Sequence, residues 1–188
     1  AVSDADFLQD YATLPISSSY QDLLEKNYKA LSVFSLSDVQ MFWKKNITGK
    51  GSVVGVGDTG MDLTHCMFKD TDHSSVKFSK YPESESAFSK KAEKSSNSLN
   101  HRKVKEYWAY VDNDDTRMGH GSHVVGILAG SLQGTDNQNL YTGVAPDVRV
   151  AFVDLGAPDK TLKLPSDLTA SYFPFMAKNG AKIFSNSW

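Results

Sequence analysis

The chain has 188 residues, 40% of them hydrophobic and 22% charged, with a formal charge of −2 at pH 7. This composition argues against a disordered or fibrous protein, and the near-neutral charge argues against a nucleic-acid or anionic-membrane binder. No run nears the roughly 20 apolar residues needed to span a bilayer, and the single cysteine, Cys66, has no partner for a disulfide within the chain.

The opening residues, Ala1-Val2-Ser3-Asp4-Ala5-Asp6, carry neither the basic start nor the apolar run of a signal peptide. From Phe7 to Leu31 the pattern is irregularly helical, with Leu23, Leu24, Tyr28 and Leu31 at helical spacing. A second, short helix is expected over about Ser37–Lys45, with Ser37 as N-cap and Val39, Phe42 and Trp43 as its apolar face. Asn46-Ile47-Thr48 then fits the N-glycosylation acceptor pattern, which suits a secreted or lumenal protein.

After the turn signal Gly49-Lys50-Gly51, the stretch Ser52–Gly57 is short, apolar and β-branched, as expected of a strand buried on both faces, and Asp58 stands at its C-terminal end. Residues 69–102 are rich in Ser, Lys, Asp and Glu without an apolar period, and read as a long surface insertion whose basic clusters Lys90-Lys91 and His101-Arg102-Lys103 are solvated. Lys103–Val111 returns to strand character and ends at Asp112-Asn113-Asp114-Asp115. His120–Ser131 is apolar around most of its circumference, as a helix packed on a sheet would be. Val148–Leu155 is another apolar strand. Pro165–Asn179 predicts a helix capped by Ser166, kinked at Pro174 and stopped by Gly180. Ala181–Trp188 opens one more strand. Strands alternating with helices make this an α/β domain with a mostly parallel sheet and helices on both faces, in which ligands gather at the C-terminal strand ends.

Two segments carry chemistry. In Gly119-His120-Gly121-Ser122-His123-Val124-Val125-Gly126 a histidine lies between two glycines at the start of a helix, where their missing side chains would leave room for a substrate and for the imidazole. Histidine titrates near neutrality and can take and return a proton. In Asp58-Thr59-Gly60 a carboxylate at the end of a buried strand could hold that imidazole in one tautomer. Asp-Thr-Gly also occurs in aspartic proteases, but these need a second carboxylate to share a proton, and no second such motif is present.

Together with Gly143-Val144-Ala145-Pro146, these two segments resemble the successive signatures of the subtilisin family of serine proteases, whose own order of catalytic residues is Asp, His, Ser. Asn179–Trp188 is similar to that family's helix, strand and entry to the substrate-binding segment, and most resembles its oxidatively stable alkaline branch. The resemblance runs from about Ile47 to Trp188 and implies a subtilisin-like α/β fold, incomplete in this chain. Residues 1–45 would then be an N-terminal extension or pro-segment remnant, and 46–188 the N-terminal part of the catalytic domain. Two departures stand out: Ser122 replaces the usual threonine, and the Asp-to-His spacing is widened to 120 − 58 = 62 positions.

The resemblance implies a serine endopeptidase in which Asp58 and His120 are catalytic and Ser187 and Trp188 open the wall for a substrate strand. A plain buried strand is the competing reading of Ser187 and Trp188. No Gly-Thr-Ser-Met-Ala-like segment is present, so the serine would come from a second chain or a missing segment, and this chain alone should be inactive. No cofactor is required. Structural calcium is suggested by Asp112, Asp114, Asp115, Asp136 and Asn137, for which solvated turns are the competing explanation. His123 reads as structural. A zinc site from Asp58, His120 and His123 lacks the four-residue histidine spacing and glutamate of zinc peptidases. The rival functional class is a catalytically inactive binding or regulatory module that keeps the same fold.

Overall fold

The computed structural model describes residues 36–72, 76, 78–80, 100–115, 119–134 and 141–188. Contacts divide the chain into two units, Ala1–Lys45 and Asn46–Trp188. The helical pattern expected over 7–31 lies outside the described residues, as do Asp136 and Asn137. In the first unit, α1 spans Leu36–Lys44. Val39 and Trp43, four positions apart, are buried, whereas Phe42 is exposed, so the apolar stripe is narrower than the sequence suggested. Ser37 lies inside the helix rather than at its cap.

The second unit is built on five strands: β1 Val53–Asp58, β2 Phe78–Lys80, β3 Val104–Ala109, β4 Arg149–Asp154 and β5 Ala181–Asn186. They form one sheet in the order β2-β3-β4-β1-β5, and every pairing is parallel. The run β2, β3, β4 lies on one side of β1 and β5 on the other. The connection after β1 therefore runs to one side of the sheet and the connection after β4 to the other, which places a topological switch point between the C-terminal ends of these neighbouring strands, where Asp58 stands. Strand β2 falls inside the stretch expected to be a surface insertion. Three residues at a sheet edge, with no alternation to announce them, are invisible to periodicity, and a Lys-bearing strand suits an edge.

Both faces of the sheet are covered, which is why its strands read as near-continuous apolar runs. Alternate residues of β4 go to opposite sides. Val150 and Phe152 join Val54, Val56, Val104 and Tyr107 beneath α2 (His120–Ala129), which contributes Val125 and Ala129. Ala151 and Val153 join Trp108 on the other face, under Tyr172, Phe175 and Met176. These last three come from a single helical segment. It begins as a π-helical turn, Leu168–Tyr172, and continues as α3, Phe173–Lys178.

The local chemistry of that segment explains its shape. Its N-cap is Asp167, one residue beyond the expected Ser166; the carboxylate accepts from the backbone N–H of Thr169 at 2.8 Å and Ala170 at 2.9 Å. Pro174 falls in the first turn of α3, where a missing N–H is tolerated, and the wider π turn precedes it, so the expected kink takes the form of a change of helix type. Gly180, at φ 92°, ends the helix and leads directly into β5.

On this second face, Tyr172 reaches across to β1. A Cβ added at Gly57 would lie 1.7 Å from the Tyr172 hydroxyl, so the residue before the strand-terminal aspartate has to be glycine. Its hydroxyl donates to Asn186 Oδ1 in β5. Gly57→Ala should destabilise the domain by about 1–3 kcal/mol or more through overpacking. A urea midpoint unchanged within error would show that the Tyr172 ring can yield.

Candidate active site

The site forms where the C-terminal end of β1 meets the N-terminal end of α2. The carboxylate of Asp58 is 1% exposed. Its Oδ1 accepts from the backbone N–H of Thr59 at 2.7 Å and lies 2.7 Å from His120 Nδ1. The His120 side chain is 38% exposed, so one ring nitrogen faces a buried anion while the rest of the ring reaches solvent. That bond places the proton on Nδ1 and leaves Nε2 with a free lone pair, the tautomer a general base needs. Oδ2 of Asp58 is buried without a hydrogen-bond partner among the described residues, so two donors on Oδ1 carry the carboxylate's solvation.

Four contacts set the distance between strand and helix. The Thr59 hydroxyl donates to Asp115 Oδ1 at 2.7 Å and accepts from the Gly121 N–H at 2.9 Å. Asp115 Oδ2 accepts from the Ser122 N–H at 2.8 Å. The Ser122 hydroxyl in turn accepts from the Asp62 N–H at 2.8 Å. Asp115 thus gives the first turn of α2 the acceptor and the negative charge that a helix N-terminus favours, while Gly119 at φ 64° turns the chain into the helix. The space at Gly121 is not left for substrate. A Cβ there would lie 2.1 Å from the Gly60 carbonyl oxygen and 3.1 Å from the Asp58 Cβ, so this glycine exists to let the Asp58 loop come close.

Sequence reasoning took Asp115 as part of a solvated turn or a calcium cluster. It is buried, at 6% exposure, and its two oxygens are committed to Thr59 and Ser122. Asp112 accepts from the Asp114 N–H at 3.0 Å in the turn before it. Among the described residues no three His, Cys, Asp or Glu side chains converge as a metal-binding group, and His123 is exposed on α2. Trp188 lies near the site: its indole N–H donates to the Gly57 carbonyl at 2.9 Å, and it remains 45% exposed. Ser187 is exposed beside it. Cys66 is an exposed free thiol in the loop after β1.

A second strand-terminal aspartate was missed. Asp154 ends β4 in register with Asp58 and is fully buried. It accepts from the Tyr107 hydroxyl at 2.7 Å and from the Gly156 N–H at 3.1 Å, while the Tyr107 oxygen accepts from the Met61 N–H at 3.3 Å. Burial pushes its carboxyl up to about 8; the Tyr107 bond opposes this, and Asp112 reinforces it. A neutral acid here spares Asp58 a like charge opposite it on the next strand. The available signal was the repeated pattern of an apolar strand closing on Asp.

Because Asp154 holds its proton in the folded protein to about pH 8 but only to about 3.8 when unfolded, the native state binds more protons between those values. Its contribution to stability is complete below about pH 4 and lost as pH rises to 8. Asp154→Asn should remove this slope, so its stability relative to wild type should rise across that window; a flat difference in pH-dependent urea midpoints would refute the assignment. Asp115→Ala should cost about 1–3 kcal/mol and lower the Tm, with Asp115→Asn retaining part of the loss.

Residues 49–188 match the family model described as the subtilase family, peptidase S8. The chain is 31% identical over 182 residues to the serine protease/ABC transporter B family protein tagB of Dictyostelium discoideum, covering 90% of this chain and 9% of that one. It is 30% identical over 166 residues to a PII-type proteinase of Lacticaseibacillus paracasei, covering 81% of this chain and 8% of that one. The chain therefore spans less than a tenth of the length of these relatives. Among solved structures it is similar to the CspB protease of Clostridium perfringens, with a TM-score of 0.50 and 24% identity over 80% of this chain and 31% of that one; that likeness bears on the fold.

Proposed function

Since this chain belongs to the subtilase family, we propose that it supplies two members of the catalytic triad of a serine endopeptidase, Asp58 and His120, while the serine lies in sequence outside these 188 residues. The observation that carries this reading is the 2.7 Å contact between Asp58 Oδ1 and His120 Nδ1, made across a 62-residue separation and held by Thr59 and Asp115. The family relation and the relatives named as serine proteases support it.

In the proposed reaction the serine hydroxyl gives its proton to His120 Nε2 as its oxygen attacks the peptide carbonyl. Asp58 keeps the ring oriented and stabilises the imidazolium. The ring then protonates the leaving amine, and the resulting acyl-enzyme is hydrolysed by water that the same nitrogen deprotonates. This sequence requires no cofactor. Ser187 and Trp188, at the end of β5, would face an extended substrate; the Trp188 bond to Gly57 fixes that wall to the strand bearing Asp58. Exposed Asn46 within the acceptor tripeptide supports a secreted or lumenal setting, and no helix among the described residues is long and apolar enough to cross a membrane.

A fluorophosphonate probe should label the full-length protein on a serine and leave the 188-residue chain unlabelled. His120→Ala in the full-length protein should slow labelling by about 10²–10⁴. Labelling at an undiminished rate in that variant would count against His120 as the base, and none in the wild type would favour an inactive module with the same fold.

A further inference from the structure

The end of the sheet opposite Asp58 carries a charged cluster that this chemistry does not use. The segments entering β1, β3 and β4, with the segment leaving α2, line an open cavity of about 330 Å³. Its walls include Lys50, Arg102 and Lys103, and one acid, Asp147, which is exposed. Lys103 is only 2% exposed, although long cations are seldom buried without a paired anion. Its Nζ donates to the carbonyl oxygen of Pro146, a neutral acceptor, and an ammonium group has three N–H donors.

The surroundings do not neutralise this charge. The Arg102 guanidinium donates to the Lys69 carbonyl at 2.7 Å, the Ser131 hydroxyl at 3.1 Å and the Cys66 carbonyl at 3.3 Å, all uncharged. Asp70 lies beside Arg102, where it accepts from the backbone N–H at 2.8 Å. The last-turn carbonyls of Ile127 and Leu128 in α2 each accept at 2.8 Å from the N–H groups of Val144 and Ala145. Burial, with Arg102 acting in the same direction, holds the Lys103 ammonium down to about 7, and Asp147 offsets this only in part. Among the described residues the cavity wall thus has more cations than acids, and the most buried cation has only a carbonyl oxygen as acceptor.

We propose that this cavity binds a small, multiply charged oxyanion, a phosphate or a di- or tricarboxylate, which accepts from Lys103 on the inside and is drawn in by Lys50 at the rim. The volume is at the lower end of small-ligand sites and accommodates either chemistry. Charge-assisted bonds to a desolvated ammonium are stronger than neutral ones, so the anion would supply the partner that Pro146 alone does not.

Calorimetric titration of the full-length protein at pH 7 with sodium phosphate, and separately with sodium citrate, tests this against sodium chloride at matched ionic strength. Saturable one-site binding is expected for at least one oxyanion, with a Tm that rises with its concentration as linkage requires; which of the two binds more tightly separates a phosphate site from a carboxylate site. Lys103→Met keeps the apolar stem and removes the buried charge, and should weaken binding by about tenfold or more. Should that variant fail to fold, the side-chain NMR titration of Lys103 in wild type decides, since a bound oxyanion must raise its midpoint. No saturable binding of either anion, an affinity unchanged by Lys103→Met, a Tm rise equal in both proteins as excluded salts produce, or an unmoved Lys103 titration overturns the proposal. Because these measurements need no substrate, they succeed or fail independently of the protease reading.

Discussion

The site depends on how closely a strand end and a helix start can approach. Asp58 and His120 can bond only because the loop after β1 presses against the first turn of α2, with the Gly60 carbonyl in the space a side chain at Gly121 would fill. The approach is held by polar contacts, because the atoms that meet there are backbone N–H groups and short side chains. Thr59 and Asp115 form the clasp: one hydroxyl and one carboxylate link the loop, the turn before the helix and two of the helix's first N–H groups. A helix N-terminus has unsatisfied donors in any case, and here they are met by groups that also position the histidine.

The same constraint explains how charge is distributed within the fold. The α2 side of the sheet buries three carboxyl groups near one another, those of Asp58, Asp115 and Asp154. Each is managed differently. Asp58 is the one whose charge faces the imidazole. Asp115 accepts from the Ser122 N–H of the helix and from the Thr59 hydroxyl. Asp154 is kept neutral by burial while still accepting from Tyr107 and Gly156. Through Tyr107 it also steadies the Met61 amide, three residues after Asp58. The opposite face is apolar and aromatic, and there Tyr172 packs directly on the Gly57 backbone. Position 58 is thus located from both sides of the sheet: by packing beneath β1 and by polar contacts above it.

Much of this was legible from residue order. The runs Val53–Asp58 and Arg149–Asp154 are apolar and β-branched because both faces of a parallel sheet are covered, and Gly119–Gly126 announces a histidine on a packed helix. Asp58 and His120 were identifiable because each stands at an element boundary within a distinctive motif. Strand β2 was not, since three edge residues have no period to detect. The Ser166 cap was displaced to Asp167 because adjacent residues were both competent and only backbone geometry chooses between them.

What residue order established on its own is therefore the element types, the α/β class, the family, and the aspartate and histidine that meet at the candidate site, because these follow from short-range patterns. Folding in three dimensions alone settled the sheet order, the role of Gly121 as a point of contact rather than an opening, the conversion of Asp115 from a turn residue into a buried clasp, and the pairing of Asp154 with Tyr107. Each of these depends on which groups meet after the chain has crossed the sheet and on how far water is excluded from them. No local pattern encodes that, since the partners lie 46 to 62 positions apart.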